Sequence, residues 1–370
     1  MSKEKGIDKV FLSIVVAMVI LGFTVFVSAS MGILASNSTK FASTIFKQIF
    51  WGFLIGFLAC YLISKIDYRV FKKYSFYIFL LSVISMILVF VPHIGVSLNG
   101  ARRWVSILGI TFQPIEILNT GFIIYLATWF SFAKDKIGQF AHGLLPLLIL
   151  LGISGILLIE QPDTDSFIIL GFVGVVMLIS AGGKFRHIIL MGIIGILLLV
   201  ILAFARPYVM SRLMSFFNPA DNAQSSGYQI QQSLIAVGSG RMFGRGLGQS
   251  IQKFKFLPES ISDSIFAVAA EELGFIGCVS IIILFLFFIF RSFRIAIRSP
   301  DSFGGLLVIG IAILITCRSF MNIASMLGVI PISGVPLAFF SQGGTAMFIT
   351  LAQIGIILSV SRSHKIQIKN

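Results

Sequence analysis

At 370 residues, with 57% hydrophobic and only 11% charged side chains, the chain carries more apolar surface than one water-soluble core of that length can bury. Its mean hydropathy is +1.01, and its formal charge of +14 comes from basic residues in short segments between apolar runs. That placement is typical of topology determinants and argues against a nucleic-acid-binding role. Cys60, Cys278 and Cys317 lie inside apolar runs, with neither metal-ligand spacing nor a disulfide framework, and read as packing residues.

Runs near the length needed to cross ~30 Å of hydrocarbon predict an all-α polytopic membrane protein of ten helices. In chain order they are Val10 to Met31, Ile45 to Ile63, Ser75 to Val91, Pro114 to Phe132, Leu144 to Ile159, Phe167 to Ala181, Ile188 to Ala205, Phe266 to Phe290, Leu306 to Val329 and Ala346 to Val360. The first run is too long for a signal-peptide core and lacks a convincing cleavage site, so it reads as a span. The fifth, sixth and tenth are short. Residues 1–370 read as a single transmembrane domain, and an even number of spans puts both termini on one side.

Lys and Arg choose the side. With the N-terminus in the cytoplasm, the inner segments hold Lys3, Lys5 and Lys9; Lys65, Arg69, Lys72 and Lys73; Lys134 and Lys136; Lys184 and Arg186; Arg291, Arg294 and Arg298; and Arg362, Lys365 and Lys369. Every inner segment is then basic, as the positive-inside rule requires. Two polar outer segments stand apart: 92–113, and a long extracytoplasmic loop, 206–262. The long loop mixes Gly, aromatic, basic and amide residues without low complexity, which favours function over disorder. Within it, Tyr228 to Val237 predicts an amphipathic helix at the outer surface with Ile230, Leu234 and Val237 facing lipid or bundle.

Short motifs recur along the chain: Asn99-Gly-Ala-Arg-Arg-Trp104, Gln113-Pro-Ile-Glu116, Gln161-Pro-Asp163, Gly227-Tyr-Gln229, Gln252-Lys253, Leu257-Pro-Glu259, Asp263-Ser-Ile-Phe-Ala-Val, Glu271-Glu-Leu-Gly274, Gly334-Val-Pro-Leu337 and Gly343-Gly344. In this order, within ten helices, they resemble the FtsW/RodA (SEDS) family of peptidoglycan polymerases over nearly the whole chain. The stretch from Gly246 to Lys253 is closer to the septal, FtsW-type branch.

The resemblance implies a glycosyltransferase that polymerises lipid II at the outer membrane face: the 4-hydroxyl of one GlcNAc attacks C1 of a lipid-linked MurNAc, and undecaprenyl pyrophosphate leaves. Such chemistry needs a carboxylate to accept a proton and cationic or metal charge for the leaving group. The resemblance places the catalytic acid at Asp263, although Ser264 replaces the family's usual phenylalanine. The competing reading makes Asp263 a helix N-cap. Arg102, Arg103 and Trp104 are candidates for binding substrate, the arginines through bidentate pyrophosphate contacts; the alternative is interfacial anchoring by snorkelling side chains. Lys253 carries over as a substrate-binding residue, with Lys255, Arg241 and Arg245 adding charge.

Acids at or near hydrocarbon depth are functional candidates because their desolvation is costly. Glu116, a candidate for binding substrate, begins the fourth helix, where Ile115 replaces a family serine and weakens any metal role. Glu271 and Glu272 lie two turns inside the eighth helix, and Arg318 in the ninth is the charge partner expected for one of these glutamates. Asp163 falls in the cluster Glu160-Gln-Pro-Asp-Thr-Asp165, which departs from the family pattern by losing a glycine to Asp165. The cluster either balances Arg102 and Arg103 or helps hold a divalent cation, Mg or Mn. Pro331, Gly334, Pro336 and Gly343-Gly344 interrupt the apolar pattern and shape either an outer cleft or a tight turn.

A lipid II flippase would concentrate charge at mid-membrane, usually with inverted repeats, and no repeat is evident here. A non-catalytic divisome scaffold is compatible with catalysis, since the resemblance implies a class B penicillin-binding protein partner, a transpeptidase, among other divisome membrane proteins at the septum of the inner membrane.

Overall fold

A computed structural model describes residues 6–35, 37–98, 101–107, 110–218, 226–254 and 256–363. Asn99, Gly100, Lys3, Lys5, Lys255, Lys365 and Lys369, which entered the sequence reading, lie outside the described residues. The helices in chain order are α1 (Lys9–Leu34), α2 (Ser38–Lys65), α3 (Ser75–Phe90), α4 (Pro114–Ala133), α5 (Leu144–Glu160), α6 (Thr164–Ser180), α7 (Phe185–Ala205), α8 (Pro207–Phe217), α9 (Ser226–Ser239), α10 (Ile265–Ile297), α11 (Ser302–Met326) and α12 (Gly344–Arg362). Of these, α1, α2, α4, α7, α10, α11 and α12 are long and apolar enough to cross a membrane, and α3, α5 and α6 are shorter apolar helices. These ten coincide with the ten predicted spans, and α12 is longer than the sequence indicated. The chain is thus an all-α polytopic membrane protein in its spans, with a small sheet added.

Several helix starts follow from their capping residues. Asp8 accepts from the N–H of Phe11 at 2.9 Å, Asn37 from Lys40 at 2.8 Å and Asp301 from Gly304 at 2.8 Å, satisfying backbone donors that a helix start leaves orphaned. Pro114 and Pro207 open α4 and α8, where a missing N–H costs nothing. Helix α11 is apolar all round and buried along most of its length, as the central helix of a bundle must be. Helix α7 is equally apolar, yet Ile193, Ile196, Leu197 and Ile201 are exposed, the surface expected to face lipid.

The two ends of the bundle are chemically distinct. On the basic end, the Asp8 N–H donates to Ser361 Oγ at 3.3 Å and Asp8 pairs with Arg291 at 2.8 Å. The start of α1 therefore meets the ends of α10 and α12, as an even number of crossings requires. There too Tyr68 donates to Asp301 at 2.7 Å. At the opposite end the connections fold into structure of their own. There β1 (Gly95–Leu98), β2 (Ala101–Ile107) and β3 (Ile110–Phe112) form an antiparallel sheet in the order β1-β2-β3.

Helix α10 is broken at Gly274, whose φ of 67° and ψ of −167° belong to a conformation favouring glycine. A Cβ there would collide with the backbone N of Gly244. The groups freed by the break are taken up by the long outer segment: Phe275 N–H donates to Arg241 O at 2.9 Å and Ile276 N–H to Met242 O at 3.2 Å, while Arg245 and Gly246 N–H donate to Glu271 and Glu272 O at 3.0 Å each. Irregular backbone at this depth persists because protein partners replace the missing helix bonds. In the same segment α9 overruns the predicted helix at both ends. It turns Ile230, Ser233 and Ala236 inward and leaves Leu234 exposed, so of the residues expected to face lipid or bundle Ile230 packs inward and Leu234 does not.

Candidate active site

The register of the sheet singles out Arg103. Val96 faces Trp104 and Ser97 faces Arg102, with the shift falling between Val96 and Ser97, so Arg103 is the extra residue of a β-bulge. A bulge bends its strand and redirects a side chain. Here the bulged residue is half-buried, and its guanidinium donates from Nε to Gln161 O at 3.2 Å and from Nη2 to Pro162 O. The third nitrogen, Nη1, remains for other work. Arg102 is exposed and Trp104 half-buried.

Nη1 points to a shared centre. A Cβ built on Gly334 would lie 3.7 Å from Arg103 Nη1, 3.8 Å from Asp263 Oδ2 and 3.9 Å from Arg212 Nη2. Arg212 sits on α8, and its Nη1 pairs at 2.7 Å with Asp165 in the first turn of α6. The same oxygen, Oδ2, also accepts from the Gly334 N–H at 3.1 Å, which fixes the position of Gly334. Asn322 on α11 ties both loops together by donating to Asp263 O at 2.7 Å and to Val335 O at 2.8 Å.

Asp263 does not cap α10. The cap position is Ser264, and no side chain bonds the first-turn N–H groups. Among the described residues the Asp263 carboxylate makes neither a hydrogen bond nor an ion pair, and it keeps a partly exposed edge. Burial among protein atoms, helped by Glu259 and Asp165 and opposed by Arg103 and Arg212, pushes its pKa from 3.8 up to about 7. Asp163 is the N-cap of α6, accepting from Ser166 N–H at 3.3 Å and Ser166 Oγ at 2.9 Å. Burial pushes it upward as well, against the pull of Arg103.

The acids of residues 160–165 are balanced differently from the sequence expectation. Glu160 pairs with Arg206, Asp165 with Arg212, and Asp163 lies in the field of Arg103; Arg102 takes no part in these pairs. Arg318 is the partner of Glu116, through a two-pronged contact between α11 and α4, and not of Glu271 or Glu272. Lys253 is sealed inside: its side chain is 0% exposed, 2.7 Å from Glu272, and it also donates to Gly248 O at 2.8 Å. Ser28 on α1 donates to the same Glu272. Glu271 gathers Ser250 Oγ and the N–H groups of Ile251 and Gln252. Lys253, Glu271 and Glu272 therefore bind the outer segment to α1 and α10, and Glu116 with Lys253 has a protein partner where a substrate contact was expected.

For a divalent cation the donor set is poor. Among the described residues no group of three or more His, Cys, Asp or Glu side chains is placed to hold a metal ion, and Asp163 and Asp165 already serve Ser166 and Arg212. These residues do not form a protein cage for Mg or Mn.

The residue missed by sequence reasoning is Arg212. Its one signal is Pro207, which opens a helical pattern inside a segment otherwise read as loop.

Helices that cross a membrane, closed at one end by a sheet, a short helix and two loops around an unpaired carboxylate and two arginines, define a polytopic membrane protein with a cluster of charged groups at one end. The sequence matches the cell cycle protein family of FtsW, RodA and SpoVE over residues 8–366, and the chain belongs to that family. It is 37% identical over 361 residues, covering 98% of both chains, to the probable peptidoglycan glycosyltransferase FtsW of Geobacter sp. strain M18. To stage V sporulation protein E of Bacillus subtilis strain 168 it is 36% identical over 308 residues, 83% of this chain and 84% of that protein. Among solved structures it is similar to a chain of a peptidoglycan synthase complex described for its coordination of polymerization and crosslinking, with a TM-score of 0.79, 25% identity, and coverage of 97% of this chain and 99% of that one. The rod shape determining protein RodA of Thermus thermophilus superimposes with a TM-score of 0.68 at 24% identity over 97% of both chains, a likeness of fold.

Proposed function

We propose that this chain is a peptidoglycan glycosyltransferase that polymerises lipid II into glycan strands during septal wall synthesis and cell division. The observation that carries the reading is the centre at Gly334, where a free carboxylate and one nitrogen from each of two arginines converge. With a pKa of about 7, Asp263 suits a general base, which works best when its pKa lies near the working pH. It accepts the proton of the GlcNAc 4-hydroxyl as that oxygen attacks C1 of the MurNAc. Arg103 Nη1 and Arg212 Nη2 stabilise charge on the departing undecaprenyl pyrophosphate. Arg103 Nε and Nη2 are held by Gln161 and Pro162 and Arg212 Nη1 by Asp165, so the donors are oriented before substrate arrives, which is where electrostatic catalysis gains most. No step is assigned to a metal.

The basic end of the bundle, with both termini, is cytoplasmic on this reading, and the Gly334 centre faces outward. The buried pairs Glu116 with Arg318 and Lys253 with Glu272 are closed by mutual contact, whereas the open Asp263 carboxylate lies at an end of the bundle; that arrangement favours surface chemistry over transport. A class B penicillin-binding protein is the partner proposed to cross-link the strands. Purified chain, assayed on labelled lipid II with and without that transpeptidase, tests the reading: glycan strands from the wild type and none from Asp263→Asn are expected, and equal polymer from both would overturn it.

A further inference from the structure

At the basic end, away from the Gly334 centre, a cavity of about 520 Å³ opens beside the start of α7. Lys184, Arg186 and His187 line it together with Phe140, Ile189 and Ile193. Both cations are exposed, and among the described residues no carboxylate pairs with either. His187 is 5% exposed, and its Nδ1 is buried without a hydrogen-bond partner. An unpaired buried polar atom is costly and calls for a ligand or a neighbour.

The helix start adds to this imbalance. Helix α7 is 21 residues long, has no side-chain cap and carries no acid in its first turn. Two cations instead stand at the positive end of its dipole, where anions are stabilised and cations are not. The charge and the uncapped N–H groups ask for an anion, and His187 Nδ1 asks for a hydrogen-bond partner. The rest of the lining asks for hydrocarbon: Ile189 and Ile193 are exposed at 51% and 58%, on the helix face that continues through Ile196 and Val200. A free inorganic anion would use only the first half of this site.

We propose that this cavity binds the phosphate headgroup of an anionic glycerophospholipid, with an acyl chain lying along α7. On the topology given above, the lipid belongs to the cytoplasmic leaflet, whose negative lipids basic pockets select. The site would steady a helix that is otherwise weakly held, since its buried residues are only His187, Met191, Leu202 and Ala203. The same helix leads directly through Arg206 into α8, which carries Arg212.

Native mass spectrometry of the full chain in zwitterionic detergent, titrated with phosphatidylglycerol or phosphatidylcholine, tests the site. Each basic residue near anionic lipid contributes about fivefold in affinity, so Lys184→Gln with Arg186→Gln should weaken phosphatidylglycerol retention about thirtyfold. Lys72→Gln with Lys73→Gln, which removes equal charge from another basic segment, should leave retention unchanged. Gly138→Leu keeps every charge but fills the cavity, where a Cβ already meets Lys184 Cε at 3.0 Å, and should also weaken retention. Equal losses in the two double variants would reveal diffuse attraction and overturn the site. So would undiminished retention by Gly138→Leu, equal binding of phosphatidylcholine, or displacement of the lipid by millimolar inorganic phosphate, the last marking a free-anion site.

Discussion

Arg103 and Arg212 come from a bulged strand and a short surface helix, yet each turns one guanidinium nitrogen to the same point, 3.7 and 3.9 Å from where a side chain on Gly334 would begin. Each spends its remaining fork on the protein: Arg103 on two carbonyls, Arg212 on Asp165. A lysine ammonium gathers its donors on one atom, so it cannot hold such a partner and also place a donor where the far arm of a rigid guanidinium fork reaches. Arg103→Lys and Arg212→Lys should therefore each lower lipid II polymerisation by about 10²-fold, the usual cost of losing one oriented donor. Unfolding temperatures should stay near the wild type. Full activity in either lysine variant would reduce that residue to an anchor.

Asp263→Asn addresses the base. The carboxylate neither caps α10 nor pairs with a neighbour, so the amide should fold and bind a transpeptidase partner normally. Polymerisation should fall by about 10²- to 10⁴-fold, the range for loss of a general base. Single-turnover rates on labelled lipid II, read beside thermal unfolding of the same preparation, separate the two effects.

The raised pKa of Asp263 gives opposite pH trends for activity and stability. Its folded pKa of about 7 exceeds the ordinary 3.8, so between these values the folded state binds more protons than the unfolded one. Stability from this group is fully present below pH ~4 and is lost as pH rises through ~7, by proton linkage. Activity, which needs the ionised base, should rise over the upper part of that window. Comparing pH profiles of unfolding for wild type and Asp263→Asn checks this, since the Asn variant should lack that component of the slope.

Gly334→Ala places a methyl at ordinary van der Waals distance from three charged groups, the shortest contact being 3.7 Å. The fold should survive, and polymerisation should fall, because the methyl occupies space that a pyrophosphate oxygen needs. Gly334→Leu should abolish activity. A Leu variant with wild-type turnover would move the reacting centre elsewhere.

Lys253 and Glu272 should behave as structure. Lys253→Met leaves a buried carboxylate unpaired, at a cost of about 3–5 kcal/mol, whereas Lys253→Met with Glu272→Gln should recover most of the loss. Unfolding temperatures in detergent distinguish the two. Loss of activity by Lys253→Met at unchanged stability would restore a direct role in binding substrate.

Much of this molecule was legible in its sequence. The ten spans were found because hydrocarbon demands long apolar runs, and Asp263, Arg103 and Gly334 were each singled out, although their convergence was not. The sheet at residues 95–112 escaped notice because its strands are short, at four, seven and three residues, too brief for alternation to register. The bulge that aims Arg103 is a property of pairing, which one strand cannot declare. Arg318 was assigned a glutamate partner, but the choice of Glu116 depended on how α4 and α11 are rotated against each other. Lys253 carries over from the family resemblance as a substrate-binding residue; its burial instead follows from Glu272, 19 residues further along. Arg212 lay in a stretch read as loop, where the helical spacing after Pro207 was overlooked.

The break at Gly274 bears on how family members can be recombined. Since residues 241–246 supply the hydrogen bonds that α10 gives up around the break, the outer segment and the helix form one inheritable unit. A chimera that exchanges 241–276 as a block transplants a complete set of backbone partners, whereas a crossover between Gly246 and Glu271 joins a donor from one parent to an acceptor shaped by another. Recombination libraries should accordingly show a trough of viable junctions across that interval, with fertile junctions on either side.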